Sequence, residues 1–209
     1  YNPKWGVTPF LKDLSKKSLT VETLYSVVPH TTKALIPIVV GIYPYPEPDV
    51  YEAIPGILPQ KALPHLLKDF GYRTAFFQTA NNYEERPSVV ANLGYDDFYG
   101  LFELPDEGFA NVNYFGKEEM MMLKPSLKWI EAESDKPFFL TYLTLSSHHE
   151  YGFPPDFPQK DYRVGKENQN RYLNAVRYTD YFLSQVFEEF KKRGLLEKTI
   201  FIILGDHGE

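Results

Sequence analysis

Three short polar stretches hold most of the residues that could do chemistry. The chain has five His, at positions 30, 65, 148, 149 and 207, and all but His65 fall in these stretches. They are Pro29-His30-Thr31-Thr32-Lys33, Ser146-Ser147-His148-His149 and Gly205-Asp206-His207-Gly208-Glu209. Asp206 and His207 are neighbours in a loop held by two glycines, where both can turn toward one metal ion. Carboxylate oxygen with imidazole nitrogen suits Zn²⁺ or Mn²⁺ better than Ca²⁺, which prefers oxygen alone. The plain alternative is an Asp that caps a following helix, beside a surface His. His148 and His149 are candidate donors to an anionic substrate, or else a solvated loop. His30-Thr31-Thr32-Lys33 opens an apolar run that ends at Gly41, a loop feeding a buried helix with hydroxyls at its start. Backbone N–H groups and the positive end of the macrodipole suit an anion or an alkoxide there. On the plainer reading, Thr31 or Thr32 is only the N-cap. His65, inside an expected helix, is a bystander.

A parallel α/β sheet would bring such clusters together, because ligands bind outside the carboxyl ends of its strands. The spacing predicts that sheet. Residues 58–70 read as a helix with Leu63, Leu66, Leu67 and Phe70 on one face and Gly71 as its stop. Residues 72–79 follow as a strand buried on both faces, completing a helix–glycine–strand unit. Residues 138–145 form the strongest strand and open onto Ser146-Ser147-His148-His149. Residues 199–204 read as a buried strand leading into Gly205-Asp206-His207.

Between these, Thr8-Pro9 predicts a helix start, and 18–25 a short strand or extended entry. Pro44, Pro46, Pro48 and Pro55 with Gly56 mark a long irregular loop. Residues 81–93 predict a short helix ending at Gly94, and 96–113 are loop-rich. Residues 117–133 are amphipathic, with Pro125 as a kink or a second start. Met120-Met121-Met122 reads as core filler rather than a ligand set. Residues 169–192 predict a long helix ended by Gly194. No repeat, low-complexity linker or domain boundary appears, which predicts one domain over 1–209.

Composition narrows the classes. The 209 residues are 43% hydrophobic and 24% charged, ordinary for a globular chain. The net charge of −6, without a basic block, argues against a nucleic-acid partner. The absence of Cys excludes disulfides, thiolate metal ligands and a cysteine nucleophile, and assigns no compartment. No apolar run is long enough to span a bilayer, and no signal peptide is visible. A start at Tyr1-Asn2-Pro3 and an end on a ligand-rich strand–loop junction predict a domain trimmed at both ends.

The ordered set of motifs resembles the sulfatase and lipoteichoic-acid-synthase branch of the alkaline phosphatase superfamily. The matching pieces begin with Thr8-Pro9-Phe10-Leu11, then Val28-Pro29-His30-Thr31-Thr32-Lys33-Ala34-Leu35 with Gly41-Ile42-Tyr43-Pro44. Leu67-Lys68-Asp69-Phe70-Gly71-Tyr72-Arg73-Thr74-Ala75, Leu93-Gly94-Tyr95-Asp96 and Ser147-His148 follow. Last come Tyr172-Leu173-Asn174-Ala175-Val176-Arg177-Tyr178-Thr179-Asp180 and Leu204-Gly205-Asp206-His207-Gly208-Glu209. The resemblance implies an α/β sandwich with a mixed, mostly parallel sheet between helices. It implies a nucleophile at the opening of the helix that ends in the Gly-x-Tyr-Pro turn. The family's spacing, counted back from Gly41, lands on Thr31, with Thr32 as the alternative. It assigns the catalytic metal to Asp206 and His207, with Thr31 beside it. It also gives His148, and less directly His149, to the substrate or leaving group. In the mechanism this suggests, the helix N–H groups and Lys33 would stabilise charge on the phosphoryl oxygens. Family members take further metal ligands from an acidic residue that would precede Tyr1 and a His that would follow Glu209.

One departure decides the chemistry that the resemblance implies. Sulfatases carry Cys/Ser-x-Pro-x-Arg, oxidised to formylglycine; this chain has Lys33 at the Pro position and Leu35 at the Arg position. A Thr nucleophile belongs with the phosphotransferases and phosphodiesterases of the superfamily, of the phosphoglycerol or phosphoethanolamine transferase kind. The implied substrate is a phosphate ester or lipid head group. The implied location is extracytoplasmic, in the periplasm or cell envelope, with any membrane anchor outside this chain. The competing readings are a true sulfuric ester hydrolase and a non-catalytic relative that binds head groups or glycans.

Overall fold

The computed structural model describes residues 5–82 and 85–208. Tyr1 to Lys4, Tyr83-Glu84 within the 81–93 segment, and Glu209 of the last motif lie outside the described residues. Along the chain come α1 (Pro9–Ser15), α2 (Thr31–Val39), α3 (Leu63–Lys68), β1 (Arg73–Gln78), α4 (Arg86–Asn92) and β2 (Asp97–Tyr99). Then come β3 (Asn111–Asn113), β4 (Gly116–Lys117), α5 (Met120–Ala132), β5 (Phe138–Leu143) and α6 (Glu167–Lys192).

The sheet is built on β1. Thr74, Phe76 and Phe77 are β-branched or aromatic and suit a pleated, covered surface. β1 pairs in parallel with β2 on one edge and β5 on the other, Arg73 opposite Phe138 through Gln78 opposite Leu143. Side chains alternate across a strand, so β1 feeds two cores. Ala75 and Phe77 join Met121, Met122, Leu127, Ile130, Phe182, Val186 and Phe190 from α5 and α6. Phe76 joins Leu35, Ile36, Val39, Val89 and Val90 from α2 and α4 on the opposite face. Rings reinforce both layers: Phe77 stacks on Tyr99 at 4.6 Å, and Tyr95 stands edge-on to Phe76 at 5.5 Å. The result is the expected α/β sandwich, with helices on both faces of a parallel sheet. β3 and β4 form a separate antiparallel ribbon.

Several expected features hold. The Thr8-Pro9 start opens α1, and Asp180 from α6 accepts hydrogen bonds from Phe10 N and Leu11 N, both at 2.9 Å. Gly41 follows α2 in the left-handed region, at φ +78°, where a side chain is strained. Met121 and Met122 are fully buried core residues.

Other expectations are corrected. The 58–70 helix shortens to α3, because Pro64 is tolerated only in a first turn and sets the start there. Leu66 is exposed and so is Phe70, at 78%, rather than facing the core. Residues 18–25 form no strand, and Leu19 is 97% exposed. The 96–113 stretch contains β2 and β3, each too short to stand out from its Asp and Gly neighbours. The expected buried strand at 199–204 forms no ladder with any described strand, and Ile200 is 89% exposed. A strand exists only through a hydrogen-bonded neighbour, and the outer edge of β5 pairs with no described strand. Phe201 is anchored there on Phe187 at 4.1 Å and Phe190 at 5.3 Å, and Thr199 Oγ1 donates to Leu195 O at 2.8 Å.

Because Phe76 is fully buried in the layer under α2, Phe76→Ala is expected to cost about 3–5 kcal/mol. Urea unfolding checks this, and a loss under about 1 kcal/mol would mean that layer is not well packed.

Candidate active site

His30 takes the N-cap position of α2, and its Nδ1 accepts from Lys33 N at 3.4 Å. This corrects the expectation of a Thr cap. His30 has extended backbone and a ring nitrogen able to accept, which frees both Thr side chains for other partners. Thr31 is then the first helical residue and Thr32 the second.

The Thr31 hydroxyl lies 2.9 Å from His207 Nε2. His207 Nδ1 lies 2.8 Å from the Gly208 carbonyl. A carbonyl only accepts, so Nδ1 carries the proton and Nε2 presents its lone pair. Thr31 therefore donates to His207. Asp206 Oδ2 stands 3.5 Å from the same Nε2. Hydroxyl, imidazole and carboxylate thus converge on one point.

These three atoms also pass a test for a metal. Atoms bound to one ion at about 2.1 Å with tetrahedral angles stand roughly 3.4 Å apart, close to the 2.9 and 3.5 Å observed. The set is oxygen and nitrogen without sulfur, which fits Zn²⁺ or Mn²⁺. Among the described residues no group of three His, Cys, Asp or Glu converges. Thr31, Asp206 and His207 are the residues here that could hold an ion, and they would supply only part of its shell.

The triad opens into a cavity of about 220 Å³ lined by Thr31, Gln78, Arg86, His148, Asp206 and His207. It sits at the carboxyl ends of β1 and β5, where α/β sheets bind ligands. His148 stands edge-on to Phe115 at 4.9 Å, and its Nδ1 lies 2.8 Å from the His149 carbonyl. By the same reasoning its Nε2 is the atom left for a ligand. His149 is not in this cavity. It is exposed and lines a neighbouring recess with Tyr151 and Arg171.

Thr32 and Lys33 depart from the expected roles. Thr32 is fully buried, and its Oγ1 accepts from Arg86 Nε at 2.8 Å. Lys33 is 4% exposed and turns away from the cavity. Its Nζ donates to the carbonyls of Tyr45 at 2.8 Å and Glu47 at 2.7 Å, and lies 3.6 Å from Glu52 Oε2. The cause is electrostatic. A cation in the first turn opposes the macrodipole, and the buried Glu52 offers the compensating charge. Lys33 straps the 45–52 loop onto α2 and is not among the residues lining the cavity.

Sequence reasoning missed the cation that does line the cavity. Arg86 is buried, and its Nη1 approaches Gln78 Oε1 at 3.4 Å. Asn81 also lines the cavity, and its buried Oδ1 has no hydrogen-bond partner among the described residues. Both follow the end of β1. The available signal was that position, a polar loop at the carboxyl end of a buried strand.

A second group fixes His148 from behind. Glu119, fully buried at the start of α5, accepts from Leu145 N at 2.9 Å, Ser146 N at 2.7 Å and Ser146 Oγ at 2.6 Å. Burial pushes its carboxyl upward, against the pull of these donors. Glu118 beside it accepts from the Tyr178 hydroxyl of α6. The turn carrying Ser147 and His148 is thereby tied to two helices.

A parallel sheet between helices, with a hydroxyl, an imidazole and a carboxylate at its strand ends, defines an alkaline-phosphatase-like fold. A lipoteichoic acid synthase from Listeria monocytogenes superposes with a TM-score of 0.79 at 21% identity, over 90% of this chain and 47% of that one. A phosphoglycerol transferase from Streptococcus pyogenes, solved with sn-glycerol-1-phosphate, superposes at 0.61 and 17% identity, over 89% of this chain and 51% of that one. The Sulfatase family model matches residues 1–209, and the chain belongs to the sulfatase family. Lipoteichoic acid synthase 1 of Bacillus subtilis is 26% identical over 163 residues, 76% of this chain and 24% of that protein. The chain thus spans about a quarter of the length of the curated relatives it matches.

Glu119→Ala strands three donors and is expected to cost about 1–3 kcal/mol, whereas Glu119→Gln keeps an acceptor and costs less. A carboxyl raised in the fold contributes fully below its unfolded pKa, and that contribution is lost as pH rises through the folded value. Wild-type stability is therefore expected to fall as pH rises above the usual carboxylate range, and this component vanishes in Glu119→Gln. Urea unfolding across pH reads both effects; equal slopes in the two proteins would mean that Glu119 does not titrate there.

Proposed function

We propose that residues 1–209 form the catalytic domain of a metal-dependent phosphotransferase or phosphodiesterase in which Thr31 carries the transferred group. The observation that carries this reading is the 2.9 Å contact of Thr31 Oγ1 with His207 Nε2, beside Asp206. The family membership and the likeness to lipoteichoic acid synthases support it. Thr31 lines the cavity while Thr32 is buried under Arg86, which favours Thr31 as the nucleophile.

In this reading Thr31 Oγ1 attacks the phosphorus of a phosphodiester. The bond to the leaving alcohol breaks, and a phospho-threonine diester forms. The Arg86 guanidinium and the N-terminus of α2 balance charge on the non-bridging oxygens. His148 Nε2 faces the leaving oxygen. Asn81 Oδ1 accepts from a hydroxyl of the head group. Asp206, His207 and Thr31 would hold a divalent ion, Mn²⁺ or Zn²⁺ rather than Ca²⁺, which supplies Lewis-acid charge and a lower hydroxyl pKa at Thr31. An acceptor alcohol or water then attacks phosphorus and returns the Thr31 hydroxyl. An alcohol makes the protein a phosphoglycerol- or phosphoethanolamine-type transferase; water makes it a hydrolase.

The substrate class is a phosphate ester of a lipid head group, and the location is outside the cytoplasm, in the cell envelope. No described helix is long and apolar enough to cross a membrane, so membrane attachment in this reading comes from segments outside 1–209. A sulfate ester hydrolase reading lacks its formylglycine, since Thr31 cannot be converted by that route.

In the full-length protein, Thr31→Ala is expected to lower aryl phosphodiester turnover by roughly 10³-fold or more, and an acid-quenched reaction should yield a peptide modified on Thr31. Thr32→Ala should retain turnover. A dead Thr32→Ala beside an active Thr31→Ala would shift the nucleophile by one residue, and two active variants would remove the covalent step. Chelation should abolish turnover and Mn²⁺ or Zn²⁺ restore it, while faster cleavage of an aryl sulfate would make the protein a sulfatase.

A further inference from the structure

The β3–β4 ribbon joins no ladder of the main sheet among the described residues, yet it is buried where it meets the Thr31 cavity. Val112, Asn113, Glu118 and Glu119 are each less than a tenth exposed. The tip of the ribbon is Tyr114-Phe115, and Asn113 Oδ1 accepts from Phe115 N at 2.9 Å, which closes the turn. A pair of strands this short is marginal alone, so its order comes from what it grips.

On one side it grips the loop after β1. Asn81 N donates to Phe115 O at 2.8 Å, and Lys117 N to Thr79 O at 3.2 Å. A Cβ on Gly116 would meet Thr79 O at 2.1 Å, so a side chain there would force ribbon and loop apart. On the other side it grips the loop after β5, both before and after His148. Asn113 Nδ2 reaches the Leu145 carbonyl at 3.5 Å, and Glu119 accepts from Leu145 N and Ser146 N. Beyond His148, a Cβ on Gly152 would meet the Val112 carbonyl oxygen at 1.8 Å. Residues 112–119 thus bracket the two loops that end β1 and β5.

His148 sits inside this bracket. The backbone contacts fix the loop, and Phe115 meets the ring. Phe115 lines the cavity beside His148, with the two rings perpendicular at 87° and their centroids 4.9 Å apart. Tyr114 backs Phe115 at 4.2 Å. The contact of His148 Nδ1 with the His149 carbonyl restrains one atom of the imidazole. A perpendicular aromatic neighbour restrains its plane, because tilting either ring loses the edge-to-face attraction.

We propose that Phe115 is a positioning residue for His148, holding the imidazole so that Nε2 meets the leaving oxygen, an inference that rests on the phosphotransferase reading above. With Nδ1 donating to the His149 carbonyl, the protonated ring carries its second N–H on Nε2. As the bond from phosphorus to the leaving oxygen breaks, that proton passes to the oxygen, the alcohol departs and the imidazole is left neutral. Proton transfer needs its donor within hydrogen-bond reach and aligned. A ring free to tilt therefore loses rate without losing substrate affinity.

The test compares a phenyl with a 4-nitrophenyl phosphodiester in the full-length protein. The nitrophenolate departs readily without a proton, and the phenolate depends on one. Phe115→Leu is expected to lower kcat for the phenyl ester by about tenfold or more, with KM little changed and the nitrophenyl ester much less affected. Phe115→Tyr keeps the ring and should recover the phenyl rate. In a His148→Ala background, Phe115→Leu should add no further loss, because residues acting as one unit are not additive. If circular dichroism shows Phe115→Leu misfolded, Phe115→Met makes the same comparison. Equal slowing of both esters, or a full additional loss on top of His148→Ala, would overturn the proposal. Carbethoxylation by diethyl pyrocarbonate, mapped by mass spectrometry, reads the ring without turnover. His148 should react several-fold faster in Phe115→Leu while the exposed His149 is unchanged, and an unaltered His148 rate would also overturn the proposal. Faster His148 modification in a protein whose wild type cleaves neither ester would sink the phosphotransferase reading and leave the Phe115 contact standing.

Discussion

Everything in this molecule hangs on β1 being covered on both faces and paired on both edges. A strand in that position has no freedom of register, because a slip by one residue would exchange Phe76 with Phe77 between two packed cores. The same constraint fixes the end of the strand. Gln78 and the loop beyond it are delivered to one place, next to the end of β5, with Asn81 and Arg86 following. The cavity is the space left where two rigid strands stop and α2 begins. Its polar groups need no separate scaffold, since the sheet that buries the apolar residues also aims the others.

Charge around α2 is arranged in two tiers. Lys33 and Glu52 neutralise each other beneath the helix, and Arg86 presents its charge at the cavity. Breaking a buried pair by removing one partner is costly, while the pair itself adds little net stability. The value of Lys33 is therefore geometric: with two carbonyls and one carboxylate it holds a proline-rich loop against the helix that carries Thr31. A cation placed beside Thr31 in sequence thus serves the frame, and a cation far along the chain serves the site.

Much of this was legible from residue order. Apolar runs gave α2, β1, α5, β5 and α6, with Gly41 and Gly194 marking the ends of α2 and α6, because burial and backbone freedom are local in origin. The clusters at Thr31, His148 and Asp206-His207 stood out because His is scarce and ligand-type residues gathered at strand ends. What the order of residues hid depended on partners distant in the chain. Lys33 looked catalytic because Glu52, which claims it, sits in a loop without periodicity. Arg86 looked ordinary because a lone Arg at a helix start has no distinguishing pattern. The run at 199–204 has the composition of a buried strand, but pairing is a property of neighbours and cannot be read from one segment. His30 displaced the threonines as cap because an imidazole nitrogen accepts as well as a hydroxyl does.

The contact between Thr31 and His207 joins residues 176 positions apart. Closing a loop of that length costs on the order of 4–5 kcal/mol of chain entropy, against about 1 kcal/mol from one hydrogen bond. The bond cannot draw the two ends together; the packed sheet must already have done so. The geometry around Thr31 is therefore a report on the whole fold. A nascent or partly unfolded chain carries every one of these side chains and none of their juxtaposition.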